Sequence, residues 1–550
     1  MRILGISPYH DASVCIVENG KIKYFSKQER LTKIKKDSLS EISLDVLDYV
    51  LNNYQNKPIN KVVICSPTPN SEFVEWLQLY LLKKIKNNYQ IINFCENHHL
   101  AHASLSFYNS GFKKALCLVI DRNGALIENK MRESESFFIA EYPCKFTPIY
   151  KNYYLKNKGE KYDVDNHKLI AQLKKENKDC EIYGDSTLNI TKVYESATTL
   201  IGQNILENGK TMGLSAYGKD KTFNNLFVNH QPNDNLFFHY IGSEVGYKDY
   251  IKEQIKEVPK NKYLYADYAF QVQKQTQEEV LYLVKKYTEK TNIKNICLSG
   301  GYALNVVTNE FLIKNLPDIN FYFEPLADDS GNSIGAAFYI YRKITKDKKI
   351  NKLNNTFFNH KKDNFNVKGE TCDVSKIAKL LSEQKIVAVY NSLAEAGPRA
   401  LGNRSILFDA RNKKAKEIVN KIKKREWYRP FACSVLKEYA KDYFNMYHLN
   451  NSPFMTISFP VLKNKLNVIP GVVHVDNSCR IQTVDKSIPH LYELLTQFKK
   501  ITGIPILLNT SFNIAGDPLV ESIEDAIKTF QKTDIDVLWF PRLGKIVTKH

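Results

Sequence analysis

Ala115-Leu116-Cys117-Leu118-Val119-Ile120-Asp121 is a run of six apolar residues that closes on a carboxylate. An apolar run this short reads as a buried strand, and α/β proteins place their chemistry at the carboxyl ends of such strands. Working outward, helical and strand periods alternate on its N-terminal side. Leu44 to Tyr54 reads as helix, Lys61 to Cys65 as strand, Phe73 to Ile85 as helix and Ile91 to Cys95 as strand. The chain opens with a strand from Ile3 to Ser7. A hairpin follows, in which Val14-Cys15-Ile16-Val17 and Lys21-Ile22-Lys23-Tyr24-Phe25 flank Asn19-Gly20, a pair that tolerates the positive φ of a type I′ turn. On the C-terminal side an amphipathic helix spans Tyr263 to Tyr287. Beyond it come the strand Asn295 to Leu298, a Ser299-Gly300-Gly301 turn, a helix from Ala303, the strand Phe321 to Phe323, then Asp328-Asp329 and a helix from Ile334 to Tyr341. This layering predicts an α/β fold.

The 550 residues exceed what one hydrophobic core serves, so at least two domains are expected. The polar, weakly periodic stretch 346–369 reads as a linker, giving domains 1–345 and 370–550. The formal charge of +19 comes from 78 Lys and Arg against 59 Asp and Glu. It is spread along the chain without a basic arm, so it reads as a solvated surface with local anion sites rather than a nucleic-acid tract. None of the ten cysteines forms a CxxC pair, which argues against zinc ribbons and thioredoxin-type redox sites. Neither a signal peptide nor a bilayer-length apolar segment is visible, so a cytoplasmic protein without a membrane partner is expected.

Three constellations carry chemistry. In Asn97-His98-His99-Leu100-Ala101-His102-Ala103, His98 and His102 are four apart and share a helical face. They can hold one metal ion with Asp121 and Asp329, or merely satisfy polar partners, while His99 points elsewhere. Next, Lys210-Thr211-Met212-Gly213 and Ser299-Gly300-Gly301-Tyr302-Ala303-Leu304-Asn305 place Lys210, Gly213, Gly300, Gly301 and Asn305 where backbone N–H groups can approach a nucleotide phosphate. Asp11 and Ser13 could serve similarly. The third set runs from Glu395 through Arg399 to Arg404, with Lys423, Arg425 and Arg429 downstream. Arginines among Gly, Pro and aromatic residues suit an anion pocket, or ion pairing to Glu395 and Glu426. Arg480, Asn509, Thr510 and Ser511 add polar groups at strand ends.

Taken together and in this order, the blocks His98 to Ala103, Gly397 to Ser405, Lys423 to Phe431 and Asn509 to Asn513 resemble the O-carbamoyltransferase family of nodulation protein U, cephamycin carbamoyltransferase and tobramycin carbamoyltransferase. The resemblance runs from Ile3 to about Phe530. It implies an N-terminal domain of the ASKHA (actin/Hsp70-like ATPase) type followed by a YrdC-like α/β domain. The second domain would make carbamoyl adenylate from ATP and carbamoyl phosphate, and the first would pass the carbamoyl group to a hydroxyl of a small-molecule, sugar or natural-product acceptor.

Carried onto this chain, the resemblance makes His98, His102, Asp121 and Asp329 ligands of a divalent metal, Fe2+ first and Mg2+, Mn2+ or Zn2+ as alternatives. Arg399, Arg404, Lys423, Arg425, Arg429 and Arg480 would read phosphate, with Asn509, Thr510 and Ser511 lining the same site. His10 is a candidate base and Lys35 a candidate electrostatic contact. Departures lie at Arg122-Asn123, Ser392-Leu393-Ala394, Lys36, Asp328 and Cys433; they bear on acceptor recognition, for which the loop from Tyr142 to Asp185 is the candidate reader. The alternatives are a nucleoside- or tRNA-carbamoylating enzyme related to threonylcarbamoyladenosine synthase, a hydrogenase-maturation carbamoyltransferase and a regulatory nucleotide-binding protein. Nucleic acid is not expected as a partner, and the oligomeric state stays open.

Overall fold

The computed structural model describes residues 1–54, 57–67, 72–128, 131–155, 168–185, 189–220, 225–232, 264–359 and 367–549. Part of the expected linker (360–366) and part of the expected acceptor loop (156–167) lie outside them. The chain forms two compact units, one of residues 1–22 and 39–353, the other of 23–38 and 354–550. The segment 23–38, grouped by the sequence reading with the N-terminal domain, belongs with the second unit.

The first unit is built on two mixed sheets. In the first sheet the strand Arg2–Ser7 pairs antiparallel with Ser13–Glu18 and parallel with Lys61–Ile64, which pairs parallel with Gln90–Asn93. The hairpin between the first pair and Lys21–Lys27 turns at Asn19 and Gly20, both at positive φ, as their residue types require. The second sheet runs in the order Glu181–Asp185, Lys145–Leu155, Met131–Glu141, Lys114–Ile120, Asn295–Ser299, Asn320–Phe323. The six apolar residues that end at Ile120 are therefore central, and Asp121 lies just past their strand.

Two helices lie back to back between these sheets. His98–Ser110 packs on the second sheet and is buried at every residue but Leu100; Asn332–Thr345 packs on the first sheet. Their close crossing depends on Gly335, where a Cβ would fall 2.0 Å from the Ala101 carbonyl oxygen. A long helix, Leu264–Thr291, contacts the helices Ile190–Leu200, Asn208–Ser215 and Val306–Asn315.

The second unit is organised around a nine-stranded mixed sheet. Its central strands are Val387–Tyr390, Arg404–Asp409, Ile506–Ser511, Ala432–Leu436 and Ser478–Val484. The amphipathic helices Val374–Ser382 and Pro489–Thr502 bring Ile377, Leu381, Leu491, Leu494, Leu495 and Phe498 onto Val387, Leu407 and Trp539. The first of them is capped by Asp373, whose side chain accepts from the N–H of Lys376. All ten cysteines are free thiols, nine of them buried. Among the described residues no helix is long and apolar enough to cross a membrane.

Candidate active site

In the first unit three elements converge. The first turn of His98–Ser110 projects His98 and His102, the strand Lys114–Ile120 delivers Asp121, and the turn entering Asn332–Thr345 delivers Asp329. Nε2 of His98 lies 3.6 Å from Asp121 Oδ2 and 3.5 Å from Asp329 Oδ1; Nε2 of His102 lies 3.4 Å from the same Asp329 oxygen. One donor atom from each residue falls within 4.8 Å of every other, the spacing of a shared cation.

The electrostatics fit that cation. Both histidines are fully buried, and Asp121 and Asp329 are 4% and 7% exposed. Burial disfavours an imidazolium at His98, yet Asp329 and Asp121 outweigh it and hold its pKa well above the histidine range. Burial also works against Asp121 and Asp329 as carboxylates, and the facing histidines more than compensate, keeping both below the usual aspartate range. Two buried carboxylates with two imidazole donors match a divalent ion in charge and in donor type.

The surrounding groups orient this set. Asp121 Oδ1 accepts from the Gly301 N–H at 3.0 Å, and His102 Nδ1 lies 3.4 Å from Ser299 Oγ. Gly300 holds φ +83°, and a Cβ there would fall 2.4 Å from the Ile120 carbonyl oxygen, so only glycine lets this turn sit on Asp121. His10 places Nε2 3.4 Å from Asp329 Oδ2 and Nδ1 3.5 Å from Asp11 Oδ2; its bond to Asp11 and the charge of Asp329 raise its pKa. Ser13 Oγ donates to the Ser330 carbonyl at 2.6 Å, so it anchors the turn that carries Asp329.

Asn332, absent from the sequence candidates, has its amide nitrogen 3.0 Å from His102 Nε2 and 3.2 Å from His98 Nε2. Its signal was a position three residues after Asp329 at a helix start. His99 turns to Ser136 Oγ at 2.8 Å, away from the cluster. The other glycine-motif residues are placed differently. Lys210 bonds Gln203 at 3.0 Å and Glu207 at 2.8 Å, and Gly213 lies inside the helix Asn208–Ser215. Asn305 caps the helix Val306–Asn315, accepting from the N–H groups of Val307 and Thr308. Of this set, the structure brings only Gly300 and Gly301 beside Asp121.

The second unit gathers cations. Lys423 is buried, its Nζ donating to Ser511 Oγ at 3.0 Å and Asn513 Oδ1 at 2.8 Å. Burial, with the charges of Arg425, Arg429 and Lys35, pushes its ammonium well below the lysine range. Arg425 lies 4.1 Å over the Phe431 ring and is likewise depressed by burial, then by Arg429 and Arg480. Burial, with Arg429 beside it, brings Arg480 down to about 10, and its buried Nε meets no hydrogen-bond partner among the described residues. Glu426 is the carboxylate that answers this group, 3.7 Å from Arg429. Cations that depress one another in this way stabilise a bound anion.

Arg404 and Glu395 do other work. The guanidinium of Arg404 donates to the carbonyls of Asn391, Ser392, Asn403 and Glu521, and stacks 3.6 Å from the Tyr390 centroid. Those four donors are committed to the backbone, so Arg404 shapes the loop, while its buried Nε meets no hydrogen-bond partner among the described residues. Glu395, offered by the sequence as an ion-pair partner, accepts through Oε1 from the N–H groups of Leu401, Asn403 and Arg404. Arg399 sits half-buried in the loop so gathered. Asn509 Nδ2 donates to Ser434 Oγ at 2.8 Å, and Thr510 and Ser511 end its strand beside Ile406 and Ser405.

Comparison with known proteins matches residues 69–338 to the family model "Carbamoyltransferase N-terminus" and residues 378–547 to "Carbamoyltransferase C-terminus". An uncharacterized protein of Methanocaldococcus jannaschii is 30% identical over 98% of this chain and 98% of its own. Nodulation protein NolNO of Sinorhizobium fredii is 27% identical over 96% of this chain and 78% of its own, and nodulation protein U of the same species is 33% identical over 40% of each. Among solved structures, full-length HypF in its phosphate- and nucleotide-bound form reaches a TM-score of 0.37 at 13% identity, covering 62% of this chain and 46% of that one, too remote to bear on the site. The N-terminal match contains the His/Asp cluster and the C-terminal match contains the cation group: the chain belongs to the carbamoyltransferase family and is a carbamoyl-transferring enzyme.

Proposed function

We propose that the chain is an ATP-dependent O-carbamoyltransferase that draws carbamoyl from carbamoyl phosphate through carbamoyl adenylate. The observation that carries this reading is the cation group of Lys423, Arg425, Arg429 and Arg480: burial, with the charge of Arg429 beside them, depresses Lys423, Arg425 and Arg480, and the group suits a polyphosphate. There, water cleaves carbamoyl phosphate to carbamate and inorganic phosphate. A carbamate oxygen then attacks the α-phosphorus of ATP, pyrophosphate leaves, and the cations offset the charge that builds on the phosphoryl oxygens. Adenylation turns a poor electrophile into one with a good leaving group.

The second step belongs to the first unit, read as ASKHA-type, with the second read as YrdC-like. An acceptor hydroxyl attacks the carbamoyl carbon, AMP departs, and the hydroxyl proton goes to a base, for which His10 beside Asp329 is the candidate. His98, His102, Asp121 and Asp329 would hold a divalent cation, Fe2+ by preference, which when bound supplies Lewis-acid polarisation of the carbonyl. Lys35, whose charge reaches Lys423, is assigned to the adenylate-forming site.

The test is release of AMP and pyrophosphate from ATP on addition of carbamoyl phosphate, with Arg429→Ala alongside. Turnover by the wild type that collapses in the variant supports the reading. Turnover that ignores carbamoyl phosphate, or that the variant retains in full, overturns it.

A further inference from the structure

Seven of the fifteen residues from Lys413 to Trp427 are Lys or Arg, against 78 in all 550. In the second unit these residues form the helix Ala415–Lys423 and the loop after it, and the two faces of the helix differ. Ala415, Val419 and Ile422 are buried, and Lys423 turns inward to Ser511 and Asn513. On the outer face Glu417, Lys421 and Lys424 recur every three to four residues and are exposed, with Lys413 and Lys414 exposed just ahead of them. The helix makes this face a ridge about 14 Å long.

A groove of about 490 Å³ follows the ridge. Six of the nine residues that line it are Lys or Arg, and Glu417 is its one carboxylate among the described residues. Asn420 shapes one end. Its Oδ1 accepts from Arg425 Nε at 2.6 Å and its Nδ2 donates to the Trp427 carbonyl at 3.4 Å, which folds the loop back onto the helix. Trp427 lines the groove and stays 48% exposed.

The charge of the ridge is not neutralised from within. Among the described residues no carboxylate pairs with Lys413, Lys414, Lys421 or Lys424. Burial, then the charge of Arg425, lowers the half-buried Lys416 below the ordinary lysine value. An anionic partner is therefore favoured, and its class follows from the side chains. The exposed cations are all lysines, hydrated point charges, whereas arginine forks are the better readers of phosphate. A nucleic-acid backbone, charged at every unit, would meet Glu417, and one indole offers a single platform where a strand of bases uses several. A polypeptide can set an uncharged residue opposite Glu417 and an apolar one on Trp427. Its carboxylates, three or four residues apart on a helix, then face the lysines.

We infer that this groove docks an acidic helical segment of a partner protein, with its carboxylates on Lys413, Lys421 and Lys424 and an apolar side chain on Trp427. Fluorescence anisotropy on the full chain at about 0.1 M salt tests it, where exposed charges still act over short range. The probe is a labelled peptide of about twenty residues with Glu at every third or fourth position and one Leu. The expected result is saturable binding by the wild type, and none when Gln replaces Glu in the peptide. Affinity should fall at least tenfold in Lys413→Gln/Lys421→Gln/Lys424→Gln and in Trp427→Ala, each checked for an unchanged melting temperature. Lys174→Gln/Lys175→Gln/Lys178→Gln removes the same charge from the first unit and should bind as the wild type does. A wild type that does not bind the peptide overturns the docking site, and so does equal weakening by the two triple variants. Tighter binding to poly(U) RNA or to phosphatidylserine vesicles than to the peptide, at the same salt, overturns the acidic-protein assignment.

Discussion

Nε2 of His98 and Oδ1 of Asp329 stand 3.5 Å apart in an interior that shelters both almost completely. Isolated, either would lose its charge on burial; with His102 and Asp121 beside them they form a neutral set once a divalent ion is added. We expect about one divalent ion per chain by elemental analysis after reconstitution with Fe2+, Mn2+ or Zn2+. His98→Ala and Asp329→Asn should each weaken retention at least tenfold. Chelation should lower the melting temperature, since an ion present at a hundred times its dissociation constant stabilises by about 2.7 kcal/mol. A wild type that holds none of the three ions after anaerobic reconstitution would remove the metal site.

Arg429→Ala and Arg480→Met thin the cation group without touching the first unit. Removing a charge aimed at a phosphoryl transition state typically costs about 10²–10³ in rate. Carbamoyl-phosphate-dependent pyrophosphate release should fall by that order, with the bound-ion content unchanged. Full activity in Arg480→Met would exclude that residue from the anion site.

Arg404→Ala leaves four carbonyl acceptors without their donor and uncovers Tyr390. A loss of about 3 kcal/mol or more in urea unfolding is expected. Arg404→Lys should not restore it, because an ammonium lacks the planar fork that spans these carbonyls. A wild-type midpoint for Arg404→Ala would contradict the role given to it.

Two buried glutamates set a pH slope. Burial lifts Glu135 and Glu324 to about 7, above the usual glutamate value. The folded chain then keeps protons that the unfolded chain has already released. The stability these groups contribute is full below the unfolded value and is lost as pH rises through about 7. For Glu324 alone the displacement amounts to on the order of 3 kcal/mol. Urea unfolding at pH 5 and pH 8 should show the wild type weaker at pH 8, and Glu324→Gln should narrow that gap. An unchanged gap in the variant would mean that Glu324 is ionised throughout.

The sequence was most readable where a single local rule governs. Helical period put His98 and His102 on one face, and an apolar run ending in Asp121 marked a central strand end. Asn19-Gly20 announced its turn because few other pairs accept positive φ twice. Groups that depend on tertiary partners were less readable. Arg404 and Glu395 look like anion or ion-pair residues in a string of letters, yet their partners are backbone atoms that only folding brings near. Asn305 resembled a phosphate contact and is a helix cap, a role the same side chain fills equally well.

The assignment of residues 23–38 to the second unit has a consequence for how the protein is made. Arg30 from that segment donates to the Glu395 carbonyl at 3.1 Å and lies 3.9 Å from the Glu521 carboxylate. On the ribosome this piece emerges 365 residues before Glu395, and earlier still relative to Glu521. The unit that receives it cannot close before Glu521 has been made, and a fragment starting at Asn354 would be synthesised without this brace. Expressing that fragment with 23–38 supplied as a separate peptide would reconstitute what cutting the gene at the apparent boundary takes away.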